Sequence, residues 1–257
     1  MKDSGLRLLQ HGGQHDLAAG FFSTRHPDEP SLFLAAPHGL FWREIVPSSF
    51  GVYSSETRER VDQPGGPMPN FPSLVNSAAI YSAHADVNAL VHAHPASVMA
   101  LCALEGDRGT VLPISESSFM FYERVAHLSC NFFFDPPYVQ GLVDALGGEG
   151  NGGRFCALMR NHSYIMCGSS IPECYMRCYM LEQSAKVQLQ VLAAAGGQCP
   201  QLPPHEECLA HRRSYEGYDG CPPSDGELEW PALLRQLDAE APGWRGAHSG
   251  TMVERAG

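Results

Sequence analysis

Val87-Asn88-Ala89-Leu90-Val91-His92-Ala93-His94-Pro95 is an apolar run that closes on two histidines and a proline. Side chains along an extended strand alternate between faces, so His92 and His94 project to the same side. Pro95 keeps its predecessor extended and removes a backbone donor just beyond it, which ends the strand with the second imidazole at its mouth. A second apolar run, Phe155 to Met159, leads into Arg160-Asn161-His162-Ser163 and supplies a third histidine at another strand end. The expectation is that His92, His94 and His162 share one divalent metal ion. Three neutral imidazoles leave positions open for substrate and water, as a catalytic centre requires. Zinc, iron(II), manganese and cobalt all accept nitrogen ligands, so the donor set does not choose among them. The HxH pair alone would also suit hydrogen-bonded core histidines; the third imidazole favours the metal.

On the N-terminal side, residues 5–13 suit a short helix stopped by Gly12-Gly13. Leu17 to Thr24 and Ser31 to Ala35 read as a hairpin around His26-Pro27-Asp28-Glu29-Pro30, and Phe50 to Tyr53 as a third strand. Ser54 to Phe71 is a polar loop rich in Gly and Pro, of a length often found at a site. Pro72 to His84 carries its apolar residues at helical spacing. Beyond Pro95, a helix is expected over Ala96 to Leu104 and a short strand over Val111 to Ile114, while Ser115 to Glu123 is compatible with helix or loop. Tyr138 to Leu146 reads as a helix, and the glycine-rich stretch 147–153 as a turn, since it lacks the order of a phosphate cradle. Phe155 to Met159 and Tyr164 to Cys167 read as strands. Ser170-Ile171-Pro172-Glu173 is a capping box that opens the longest helix, to about Ala195, with Met176, Met180, Leu181, Ala185, Leu189 and Leu192 on its apolar face. Past Cys199 the chain is polar and Pro-rich, with one helix expected at Pro231 to Leu237. The division implied is a main domain over 1–198 and a C-terminal extension over 199–257, packed on the same domain or on a neighbouring subunit.

Composition narrows the function classes. A net charge of −11, with 17 Lys and Arg and no basic run, argues against a nucleic-acid surface. The nine cysteines are odd in number, scattered and without a CxxC pair, which suits reduced thiols rather than a disulfide framework or a thiolate zinc site. No 18-residue apolar stretch and no secretory signal are visible, so the expectation is a cytoplasmic protein with no membrane partner.

Four stretches together carry a family resemblance: FLAAPHGLFWREIVPSSFGVYS (33–54), PNFPSLVNSAAIYSAHADVNALVHAHPASVMALCAL (69–104), LPISESSFMFYERVAH (112–127) and ALMRNHSYIMCGSSIPECYMRCYMLEQSAKVQLQVL (157–192). Over about residues 12–195 the chain resembles the class II aldolase/adducin family. The resemblance implies an α/β fold of three layers, α/β/α, around a mostly antiparallel sheet. It also implies a homo-oligomer, usually a tetramer, with active sites between subunits, and one divalent metal on His92, His94 and His162. Adducins lack those ligands, so their presence favours an enzyme. Sugar-phosphate aldolases of the family carry a glutamate base where this chain has Ser73, and phosphate-binding segments where it has Ala19-Gly20 and Pro37-His38-Gly39. Neither matches, which argues against a phosphorylated ketose.

Without that base, decarboxylation or aldol-type cleavage of a small oxygenated carboxylate or carbonyl compound fits best, because the broken bond supplies the electrons and the metal acts as Lewis acid. An acid must return a proton, and Tyr122 and Glu116 are the catalytic candidates; core packing and helix capping are their plainer roles. Ser73 and Asn161 are candidates for substrate binding, Asn161 with a turn role as the alternative. A branch of the family that also lacks the glutamate uses non-haem iron(II) and dioxygen to decarboxylate an aromatic 2-oxo or 2-hydroxy acid. Phe119, Phe121, Tyr122, Phe132, Phe133 and Phe134 would suit such a substrate, or an ordinary core. A non-catalytic, adducin-like assembly protein is the third reading.

Overall fold

The computed structural model describes residues 2–14, 17–129, 134–147, 152–218, 222–242 and 244. Phe132, Phe133 and residues 148–151 of the glycine-rich turn lie outside them. In chain order the elements are α1 (Lys2–His11), β1 (Phe21–Arg25), β2 (Leu32–Ala35), β3 (Gly51–Ser54), α2 (Phe71–Ala83), β4 (Ala89–Ala93), α3 (Ala96–Cys102), α4 (Glu116–Phe119), β5 (Val125–Leu128), α5 (Pro136–Ala145), β6 (Cys156–Met159), β7 (Tyr164–Gly168), α6 (Ile171–Ala194), α7 (His205–Glu216) and α8 (Trp230–Glu240). No described helix is long and apolar enough to cross a membrane.

The strands form one sheet in the order β3-β2-β1-β4-β7-β6-β5, antiparallel throughout except where β5 runs parallel to β6. The expected histidine strand is therefore its middle. Every residue of β4 is buried, because helices cover both faces of the sheet. One face, with Phe22, Val91, Ala93, Leu158 and Met166, packs under α1, α3 and α6. The other, with Phe21, Leu90, Ala157, Ile165 and Cys167, packs under α2 and α5. This is the three-layer α/β/α arrangement, and the period of two assigns His92 to the α2–α5 side, the face of Leu90.

Local chemistry sets the boundaries. Asn70 caps α2 by accepting from the Ser73 amide at 2.8 Å, and Pro72 sits in its first turn. Ser170 caps α6 in the same way, accepting from Glu173 N at 3.2 Å. The face of α6 is buried at Met176, Leu181, Ala185 and Leu192, with Met180 and Leu189 half-buried. Trp230, Leu237 and Trp244, all from beyond residue 199, join the same core as α1 and α6.

One sequence expectation fails locally. Val111 to Ile114 is not a strand: the buried Gln188 of α6 accepts from Leu112 N at 2.8 Å and donates to Arg108 O and Thr110 O just before it, both at 2.8 Å, while Ile114 N binds Leu112 O at 2.9 Å, so these groups are paired without a ladder. Two unanticipated elements appear instead. The edge strand β5 is half-buried without alternation, and α7 buries only Cys208, so neither carries a strong apolar period.

Candidate metal centre

His92 is held from three sides. On β4 it stands opposite Phe21 of β1 and Ile165 of β7, and its ring lies 5.4 Å from that of Phe21. Its Nδ1 is 2.7 Å from Tyr164 O, so Nδ1 carries the proton, donates it to the carbonyl, and leaves Nε2 with a bare lone pair. His94 follows the last residue of β4, and Pro95 begins the turn into α3. His162 projects from the tight β6–β7 connection. There Met159 N binds Ser163 O at 2.7 Å, His162 N binds Met159 O at 3.1 Å, and the Ser163 hydroxyl donates to Ala93 O, which ties this turn to the end of β4.

The three imidazoles converge. One ligand nitrogen from each lies within 4.8 Å of the others, and the Nε2 atoms of His94 and His162 are 3.0 Å apart. Nitrogens bound to one zinc ion at about 2.0–2.1 Å and near-tetrahedral angles stand roughly 3.3 Å apart, so that pair already has ligand spacing. Burial, reinforced by His94 and opposed by the Tyr164 hydrogen bond, lowers the His92 pKa to about 3; burial and then His94 lower that of His162 to about 4. Both rings are neutral at physiological pH, as metal ligands must be. Among the described residues no carboxylate or thiolate joins the group. The donor set fits a divalent ion that accepts nitrogen.

The trio opens into a cavity of about 370 Å³. Gly20 and His38 border it, with Asn70 and Asn76 from the α2 region and Phe134, Tyr138, Met159 and Ile165 from the opposite wall of residues. Gly20 is there because nothing else fits: its φ is +80°, and a Cβ would lie 2.5 Å from His92 O. Phe71, Phe134 and Tyr138 form an edge-to-face series at 5.8 and 5.4 Å.

The other candidates are placed elsewhere. Ser73 is 1% exposed in the first turn of α2, its hydroxyl without a hydrogen bond, and it does not line the cavity. Asn161 is exposed, has φ +53°, and its amide N binds Cys102 O at 3.1 Å: it makes the turn that presents His162. Tyr122 donates or accepts at 2.8 Å with His205 Nδ1, and exposed Glu116 accepts through its backbone oxygen from Tyr215 at 2.8 Å; neither lines the cavity of its own chain. Asn76, Tyr138 and Met159 were not anticipated in the cavity. Only Asn76 left a trace in the sequence, as a polar interruption of an apolar helix face.

Over 247 residues, 93% of this chain and 88% of the other, the sequence is 27% identical to a Pseudomonas aeruginosa protein whose name assigns it provisionally to the class 2 aldolases. It is 28% identical to rat alpha-adducin over 241 residues, which are 90% of this chain and 32% of that protein. The crystal structure of an aldolase II superfamily protein from Pseudomonas syringae superposes with a TM-score of 0.81 at 26% identity, covering 95% of this chain and 93% of that one. The sequence profile described as Class II Aldolase and Adducin N-terminal domain matches residues 5–189, from α1 nearly to the end of α6 and across all three histidines. On fold and sequence together, the chain belongs to the class II aldolase/adducin family.

Proposed function

We propose that this protein is a metal-dependent carbon–carbon lyase that decarboxylates, or cleaves and forms by aldol chemistry, a small oxygenated carboxylate or carbonyl substrate. The observation that carries the reading is the convergence of three imidazoles, two of them kept neutral by burial, at the floor of a substrate-sized cavity. A divalent ion on His92, His94 and His162, whether zinc, iron(II), manganese or cobalt, would supply Lewis acidity toward a chelated substrate oxygen. The chain's own contributions are distinct. The Tyr164 carbonyl fixes the His92 tautomer. The apolar wall of Phe134, Met159 and Ile165 keeps water from the substrate's tail. No base stands at Ser73, which suits a reaction whose electrons come from the bond being broken.

The proton returned to product is assigned to Tyr122 or Glu116 acting at the cavity of another copy, because neither reaches its own. That requires a homo-oligomer, for which a tetramer is the proposal, in the cytoplasm. Mixing His92→Ala chains with Tyr122→Phe chains and reassembling them should restore part of the activity that each lacks. No recovery, with mixed oligomers demonstrated, would remove the shared site.

Elemental analysis of the purified protein, followed by a panel of 2-oxo and 3-hydroxy acids scored for CO2 and aldehyde release, tests the central claim. About one ion per chain and metal-dependent release are expected. Stoichiometric oxygen uptake by the iron form would replace the lyase by an oxygenase acting oxidatively on an aromatic acid. Absence of bound metal would leave the adducin-like assembly reading, toward which the likeness to alpha-adducin points.

A further inference from the structure

Two asparagines border the cavity, and the fold uses only one of them. Asn70 is spent locally: its Oδ1 accepts from Ser73 N at 2.8 Å and its Nδ2 donates to Gly20 O at 3.2 Å. Asn76, six residues further on in α2, is 2% exposed, and its Oδ1 is buried with no hydrogen-bond partner. Leaving an amide oxygen buried and unpaired costs about 1–3 kcal/mol. A leucine would pack this helix face against the apolar layer without that cost. The fold therefore gains nothing from an amide at position 76, whereas a ligand in the cavity beside it would.

The rest of the wall narrows what that ligand is. No Lys or Arg lines the cavity among the described residues, so there is no fixed cation for a phosphate or sulfate ester. Apart from the histidine trio, His38 and Tyr138 are the titratable side chains there, and Phe134, Met159 and Ile165 are apolar.

We propose that Asn76 is a substrate-binding residue whose amide hydrogen-bonds an oxygen of a non-phosphorylated substrate, while that substrate's uncharged, apolar tail lies against Phe134, Met159 and Ile165. An amide offers N–H to a carbonyl or carboxylate oxygen and C=O to a hydroxyl, so it can serve the oxygenated end that a metal would also hold. The assignment rests on the metal-dependent reading above and adds the chemical class of substrate and the residue that orients it.

Calorimetric titration of the zinc-loaded protein tests it with three probes: acetohydroxamate, benzohydroxamate and dihydroxyacetone phosphate. Each carries a chelating oxygen pair; they differ in the tail. Benzohydroxamate should bind about tenfold more tightly than acetohydroxamate, because its ring is removed from water, and more tightly than the phosphate ester. Asn76→Leu and Asn76→Ala should each weaken both hydroxamates about tenfold while zinc stays at one per chain, and the thermal midpoint of Asn76→Leu should equal or exceed that of the parent. Unchanged hydroxamate affinity in the zinc-replete variants would overturn the role of Asn76 and leave the metal centre standing. Tightest binding of dihydroxyacetone phosphate would overturn the substrate class. Failure of the unmodified chain to hold zinc, iron(II), manganese or cobalt would remove the metal reading and this assignment with it.

Discussion

Histidine and tyrosine side chains gather in two regions of this molecule, at the β4–β7 strand ends and between the α4 turn and α7. At the first, His92 is 7% exposed, donates to a backbone carbonyl, and resists protonation down to about pH 3. At the second, the Tyr122 hydroxyl meets His205 at 2.8 Å, Arg124 and Arg212 pair with Glu216 and Glu123 at 2.6 and 3.1 Å, and His211 stacks on Phe119 at 4.4 Å. The side chains of His205 and Glu123 are about half exposed. Water reaches the carboxylates and His205 of this cluster in the single chain, so contacts this short carry little energy there. His92 has lost that competitor, and one ring nitrogen from each of the three histidines converges on a shared point in a cavity. Residue type is shared between the regions; desolvation separates them.

The largest expected contrast is in metal affinity. His92→Ala or His162→Ala removes one of three donors and should lower zinc affinity by more than 100-fold, beyond what loss of an outer partner typically costs. His205→Ala should change it less than twofold. Competition with a fluorescent chelator reads both, and circular dichroism should show native helix content in each. Equal losses in the two classes would mean that the strand-end trio is not what holds the ion.

Protonation sharpens the same comparison. In the unfolded chain histidine titrates near 6.5, whereas folded His92 and His162 bind protons only near 3 and 4. Between those limits the unfolded state holds more protons, so stability is full above pH 6.5 and falls as pH drops, by about 1.4 kcal/mol per pH unit for each such ring. Urea unfolding of metal-free protein at pH 7, 5.5 and 4.5 should show this slope, and His92→Ala should flatten it. An identical slope in that variant would show that ring 92 is solvated and already protonated.

A backbone test comes next in size. Gly20 joins β1 to the cavity rim at φ +80°, and a methyl group there would press on His92 O. Gly20→Ala should cost about 2 kcal/mol in urea unfolding and weaken zinc binding several-fold, because the displaced strand carries a ligand. Substitution at Gly39, whose φ is +93° with open space around it, should cost stability without touching the metal. If the two variants bind zinc alike, the close approach of Gly20 to β4 does not position His92.

What the sequence disclosed follows from the same physics. His92 and His94 could be placed because strand periodicity is two and Pro95 marks the end; β4, β6, β7 and α6 announce themselves by unbroken apolar runs or a capping box. The side-chain neighbours of the trio were hidden because they arrive from other layers. Tyr138 reaches the cavity from α5 and Asn76 from α2, and neither spacing relates to the histidines. The Val111 to Ile114 segment misled for the complementary reason: its Leu112 amide is satisfied by Gln188, 76 residues away. Tyr122 and Glu116 stand in a motif that was readable, yet their surroundings were not, since α7 covers them with too few apolar residues to give a helical period.

The smallest effect is the most diagnostic of how the two regions are related. Arg124 and Glu216 meet at 2.6 Å with side chains 20% and 42% exposed. A double-mutant cycle on Arg124→Ala and Glu216→Ala should give a coupling below about 1 kcal/mol if this face remains in water. The proposal that Tyr122 works at the cavity of another copy makes the opposite demand, because the face that carries it would then be covered and the pair desolvated. Measured at high dilution and again at concentrations where the oligomer is complete, the coupling should rise with assembly to about 2 kcal/mol or more. A coupling that stays small in the assembled protein would place the α4–α7 face in solvent and remove Tyr122 from the reaction, while leaving the three imidazoles of β4 and the β6–β7 turn where they are.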